Sequence, residues 1–250
     1  MIEDELNEIL PYIEKNECAL FIGAGVSALA GCYTWDSFTQ KLLEHDIIRS
    51  IIKKEDIKRF SNEEIIEFCK QTLCKNGYEN DFWGIARLII TPDPSKFEQK
   101  YLPLVKEIKK IKPFPHIIIT TNIDNCLEQT KIVKLNRIFY ELNDFIIDNI
   151  NKNETSVFHI HGYIENFRKS LLTRSMYLQR YKDSKFKEFL GYIFSNYSVL
   201  FLGYSLRDQE IKDIILENKD ERKKHFALFP DDESYQPEIF LDMYNCLLYT

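Results

Sequence analysis

No apolar run in this 250-residue sequence approaches the ~20 residues that a helix needs to cross a bilayer, so no membrane span is expected. The six cysteines (Cys18, Cys32, Cys69, Cys74, Cys126 and Cys246) are scattered. Only Cys69 and Cys74 lie close together, and no second pair accompanies them, so neither a structural zinc module nor any other bound metal is expected. No signal peptide precedes the first strand, and thiols set in apolar runs fit a reducing, cytoplasmic setting better than a disulfide framework. Positive charge is in deficit: the formal net charge is −6. That argues against a nucleic-acid surface spread over the whole protein and leaves room only for a local basic patch. Internal repeats, low-complexity tracts and Gly/Ser-rich linkers are also missing.

What is present suits a globular α/β chain, 44% hydrophobic and 29% charged. Its organising stretch is Cys18-Ala-Leu-Phe-Ile-Gly-Ala-Gly-Val-Ser-Ala-Leu-Ala-Gly31. Uncharged residues run into Gly23, which reads as a buried strand entering a tight turn. Gly23 and Gly25 carry no Cβ, so the backbone can turn sharply and approach a ligand. A helix starting near Val26 would aim its free N–H groups at that turn, where a phosphate is the natural occupant. Gly23-x-Gly25-x-x-Ala28 fits the dinucleotide fingerprint, but a plain structural turn has the same pattern. No acidic residue closes a strand about 20 residues on, where Trp35 to Ile48 reads as a helix with Thr34 as N-cap.

Residues 2–16 predict a lead-in helix through Ile2, Leu6, Ile9, Leu10 and Ile13. Residues 50–112 read as a mostly helical insertion after the first strand, within a single domain spanning 1–250; the Lys53-Lys54-Glu55-Asp56 run in it is a solvated face. Further strands are expected at 116–121, 156–162, 198–202, 225–229 and 246–249, with helices at 173–180, 184–195, 208–218 and 234–244. Residues 131–150 give no clear pattern. Alternating apolar strands and helices imply a Rossmann-like parallel sheet covered on both faces, whose ligands sit beyond the carboxyl ends of the strands.

Four such ends carry polar or glycine chemistry: Gly23 to Ser27, Thr121-Asn-Ile-Asp124, His159-Ile-His-Gly162 and Gly203-Tyr-Ser205. Each has a structural alternative. Asn122 and Asp124 can cap the helix that follows, Gly203 and Ser205 can form a turn, and a strand-end histidine can be structural. His159 and His161 would share a face if the strand is regular, with His161 making few core contacts.

As an ordered set these segments resemble the Sir2 family, most closely the bacterial Sir2-like branch of antiphage defence proteins, as in Thoeris-type and defence-associated sirtuins. The resemblance implies NAD as substrate. It places the pyrophosphate on the Gly23, Ala24, Gly25 and Ser27 turn, and the nicotinamide ribose beside Thr121, Asn122 and Asp124. It implies a catalytic base at His161, with Gly203 and Ser205 near the adenosine ribose and phosphate. Deacylating members carry Pro-Asp-Phe-Arg after the glycine turn, where this chain has Cys32-Tyr-Thr-Trp-Asp36. They have Gln where this chain has Thr121, and they carry a four-cysteine zinc module that is not recognisable here. These departures favour an NAD glycohydrolase, with Asn122 and His161 catalytic, over a deacylase or ADP-ribosyltransferase. A non-catalytic NAD or ADP-ribose sensor is the alternative of another class. The resemblance also implies a homo-oligomer and a control supplied by a separate activator, a sensor domain or a partner protein, since unchecked NAD loss would kill the host.

Overall fold

The computed structural model describes residues 2–53, 56–220, 222–228 and 237–249. Seven strands form one parallel sheet: β1 (Cys18–Ile22), β2 (Ile117–Thr120), β3 (Arg137–Phe139), β4 (Ser156–His159), β5 (Ser198–Leu202), β6 (His225–Leu228) and β7 (Cys246–Tyr249). Their order is β3-β4-β2-β1-β5-β6-β7. β1 lies at the centre because all five of its residues are buried, and only a doubly covered strand tolerates so uniform an apolar run. After β4 the chain crosses past β2 and β1 to begin β5, so the direction of winding switches between β1 and β5. The carboxyl ends of β4, β2, β1 and β5 therefore stand side by side on one edge.

The helices in chain order are α1 (Ile2–Glu14), α2 (Ala24–Leu29), α3 (Trp35–Leu43), α4 (Asp46–Ile51), α5 (Asn62–Lys75), α6 (Glu79–Ala86), the single turn α7 (Pro94–Lys96), α8 (Leu102–Ile108), α9 (Cys126–Thr130), α10 (Arg174–Lys182), α11 (Ser184–Asn196), α12 (Gln209–Glu217) and α13 (Pro237–Tyr244). Among the described residues no helix is long and apolar enough to cross a membrane. Alternate strand residues split the core. Phe21, Ile119, Phe158 and Phe201 pack with α10, α11 and α12, whereas Leu20, Ile22, Ile118 and Val157 pack with α8 and α9. A third core, from Phe38 and Leu42 of α3 to Leu73 and Phe82 of α5 and α6, includes Ile123, just past the end of β2, and Leu172, just before α10. Of the helices between β1 and β2, α3, α5 and α6 thus lie over the switch edge, and α8 packs on the sheet face.

Most boundaries follow the sequence pattern, and Thr34 caps α3 by accepting the Ser37 N–H at 3.3 Å. The single helix expected over 35–48 instead divides at Glu44–His45, where the His45 ring caps α4 by accepting from Ile47 N–H. β3 falls in the stretch that gave no pattern: it is a three-residue edge strand with Arg137 and Ile138 exposed, so it carries no buried alternation to read. The expected 234–244 helix is seen from Pro237 onward, and Ser234 to Gln236 lie outside the described residues, as do Phe229 of the expected 225–229 strand and Lys54 and Glu55 of the charged run.

The two turns at the switch are built against each other. Gly23 N–H donates to Leu202 O at 2.9 Å and Gly25 N–H to Gly203 O at 2.8 Å. Gly203 sits at φ +60°, and a Cβ there would lie 2.5 Å from Val26 N. Gly203→Ala is therefore expected to lower stability by about 2–4 kcal/mol in urea unfolding, combining backbone strain with an overlap that cannot relax. Gly77 has φ +83° with no atom within 4 Å, so Gly77→Ala isolates the backbone term and should cost about 1 kcal/mol. Equal losses for the two variants would refute the close packing of the turns.

Candidate functional site

Thr120, at the end of β2, fixes the loop beyond it. Its hydroxyl donates to Ile22 O of β1 at 2.8 Å and accepts from Asn122 N–H at 3.0 Å. The Asn122 amide nitrogen then donates twice, to Gly23 O at 3.0 Å and to Ser27 Oγ at 2.8 Å. Because Gly23 O can only accept, the orientation of the amide is determined. Asn122 Oδ1 is the group left without a protein partner among the described residues, and Asn122 lines a small cleft with Ala24, Ser27, Tyr33, Trp35, Thr121 and Asp124. Of the two capping alternatives only one is realised: Asp124 Oδ1 accepts Cys126 N–H at 2.9 Å at the start of α9, and Asn122 caps nothing.

The bare backbone at Gly23 and Gly25 has a close neighbour within the protein itself. A Cβ on Gly23 would meet Gly203 O and Tyr204 Cα at 2.5 Å, and one on Gly25 would meet Gly203 O at 2.8 Å. The close approach is made by the β5 turn. Tyr204 is buried against Phe21, and its hydroxyl donates to the Asp208 carboxylate, which burial raises to about 6. Ser205 is exposed and does not line the cleft. The cleft itself measures about 10 Å³, whereas sites for molecules of drug size run to several hundred. Tyr33, Trp35 and Ile89 form the lip that closes it.

The two histidines do not share a face. Regular strand geometry stops at His159, and the chain turns at Ile160 and His161. His159 Nδ1 lies 2.7 Å from Asn122 O, which can only accept, so Nδ1 carries a proton. Its Nε2 lies 2.9 Å from Glu128 Oε1. His161 turns the other way, into the aromatic core, with Nε2 2.8 Å from Tyr181 Oη and Nδ1 3.1 Å from Tyr177 Oη. It is wholly buried, so the expectation of few core contacts is corrected. Burial, and then the nearby Arg180 charge, push it down to about 3, so it is a neutral ring and not a base poised near neutrality. Tyr177 meets Trp35 edge-on at 6.4 Å, which connects His161 to the cleft lip.

The structure thus gathers Gly23, Ala24, Gly25, Ser27, Thr121, Asn122, Asp124 and Gly203 at one edge and leaves His161 and Ser205 apart from the cleft. Sequence reasoning missed Thr120, Glu128, Tyr177 and Tyr181. Glu128 follows Asp124 by four residues, a helical spacing that could have signalled a shared face.

An open parallel sheet with a glycine turn and an Asx loop at its switch point defines a Rossmann-like α/β protein. The model of the SIR2-like domain matches residues 116–248, more than half of the chain, and the chain belongs to that family. Sir2-like domains use NAD as substrate. No curated protein matches the chain.

Buried neutral histidines make the fold sensitive to acid. His161 is lowered to about 3, and His116 and His225 to about 4, each chiefly by burial. Unfolded histidine takes up its proton near 6.5, so below that pH the unfolded chain binds more protons and stability falls with pH. Asp208 acts in the opposite sense below about 6, because its folded form is protonated first. With three histidines against one aspartate, unfolding is expected to become easier by on the order of 3–5 kcal/mol from pH 7 to pH 5. A melting temperature unchanged across that range would contradict the burial of these rings.

Proposed function

We propose that this protein hydrolyses NAD at the nicotinamide–ribose bond, giving nicotinamide and ADP-ribose. The observation that carries the reading is the placement of Asn122. Its amide ties the β2 loop to the glycine turn, and its free Oδ1 is left on a cleft at the switch point of a Sir2-like sheet.

In the reaction the C1′–N bond breaks and its electron pair leaves with neutral nicotinamide. Water adds to the cationic C1′ and loses a proton. Asn122 Oδ1 can accept from a ribose hydroxyl or the incoming water. Asp124, with one oxygen held by Cys126 N–H, lines the same cleft and fixes the course of the loop that carries Asn122. His161 would take the proton only after Tyr177 or Tyr181 releases a ring nitrogen, so proton transfer belongs to an opened state in which the Trp35 lip has moved. On the resemblance of its motifs alone, the enzyme is an antiphage effector that depletes NAD, acts as a homo-oligomer and answers to a separate activator.

Purified protein incubated with NAD, with chromatography of products and calorimetry of binding, tests the reading. Nicotinamide and ADP-ribose formed together support it. Binding without turnover would make the protein a sensor, and no binding would remove NAD from the account. Asn122→Ala is expected to lower turnover per folded molecule by at least ~10²-fold. It should also cost about 1–3 kcal/mol of stability, since Gly23 O and Ser27 Oγ lose their donor. Ser27→Ala keeps Oδ1 and should reduce turnover less than tenfold. An active Asn122→Ala protein, turning over NAD like wild type, would take Asn122 out of the site.

A further inference from the structure

Cys32 and Cys126 are 94 residues apart in sequence, yet their sulfur atoms lie 3.8 Å from each other in the interior. A carboxylate oxygen of Asp124 completes the group, with all three donor atoms within 4.8 Å of one another. Every member is buried: Cys32 is 5% exposed, Asp124 4% and Cys126 0%. A disulfide would need sulfurs about 2.05 Å apart, and both thiols are free.

We infer that Cys32, Asp124 and Cys126 form a zinc site that fastens the segment after the glycine turn to the loop carrying Asn122. Two thiolates bound tetrahedrally at ~2.3 Å from one zinc ion stand ~3.8 Å apart, which is the spacing of these sulfurs. Two sulfurs and one oxygen suit a borderline-soft ion and discriminate against magnesium and calcium. Asp124 is already oriented, because Cys126 N–H holds one of its oxygens at 2.9 Å. The sequence expectation of no metal rested on cysteine spacing along the chain. This pair is assembled by the fold, with Cys32 beyond α2 and Cys126 at the start of α9. Its donors are unrelated to a four-cysteine module.

The test uses the whole chain, purified without chelator and under a phosphine reductant that keeps thiols free. Elemental analysis should find about one zinc per chain, and added Zn²⁺ should raise the melting temperature of stripped protein while Mg²⁺ does not. Co²⁺ added to the wild type should give a thiolate-to-cobalt charge-transfer band, a readout that needs no variant to fold. Cys32→Ala and Cys126→Ala should each weaken Zn²⁺ binding by more than ~10-fold, the lower end of what outer-sphere changes already cost. Cys74→Ala, at an exposed thiol, should bind like wild type. Folded wild type that gives no thiolate–cobalt band overturns the site. So does a Cys32→Ala/Cys126→Ala double variant that keeps its zinc.

Discussion

The contact on which the rest depends is the backbone pairing of two turns across the switch point. Gly25 N–H reaches Gly203 O, and neither turn has room for a single added carbon. Parallel strands β1 and β5 would deliver their turns to the same edge in any case, but they would not force them together. Glycine does that, because Cβ atoms at positions 23, 25 and 203 would each collide with main-chain atoms of the opposite turn. Once the turns are joined, Gly23 O is held where the Asn122 amide can reach it. The β2 loop is then fixed to the β1 turn by side chain as well as by sheet register.

A cleft of about 10 Å³ stands where a dinucleotide is proposed to bind. Gly203 and Tyr204 abut the glycine turn, with Gly25 and Gly203 still exposed, and Tyr33, Trp35 and Ile89 line the cleft beside Asn122. Admitting a substrate means moving the lip, the β5 turn, or both. The lip is the freer of the two. Tyr33 is tied back by its N–H to Leu88 O, whereas the β5 turn is anchored by Tyr204 stacked on Phe201, tilted against Phe21 and bonded to Asp208. Opening at the lip would disturb Trp35 first, then Tyr177 and the ring of His161. A closed cleft and a histidine locked between tyrosines are two consequences of one packing arrangement.

The sheet was legible because its central strands are buried on both faces, and a continuous apolar run ending at glycine or Asx has few other readings. β3 was not, since an exposed edge strand of three residues leaves no burial pattern. Among the site residues, those fixed by backbone geometry were readable: Gly23, Gly25, Asn122 and Asp124 lie where strand ends must put them. What side chains do there depends on partners distant in sequence. That Asn122 donates to Ser27 while Asp124 caps α9 is decided by loop conformation, and the pattern Asn-x-Asp permits either role for either residue.

The histidine pair shows the limit most clearly. His-x-His on a strand predicts a common face only while the strand continues, and the last ladder partner of β4 is His159 itself. Beyond it the chain turns through Ile160 toward Gly162 at φ +108°, packed against Ser170. Two rings two residues apart therefore enter different surroundings, one beside a carboxylate and a carbonyl, the other between phenols. The first donates its Nδ1 proton to a backbone carbonyl, and the second is surrounded by phenols that tolerate a neutral ring. Their chemistry is set by where the ladder stops, a boundary of one residue that apolar periodicity along β4 does not reveal.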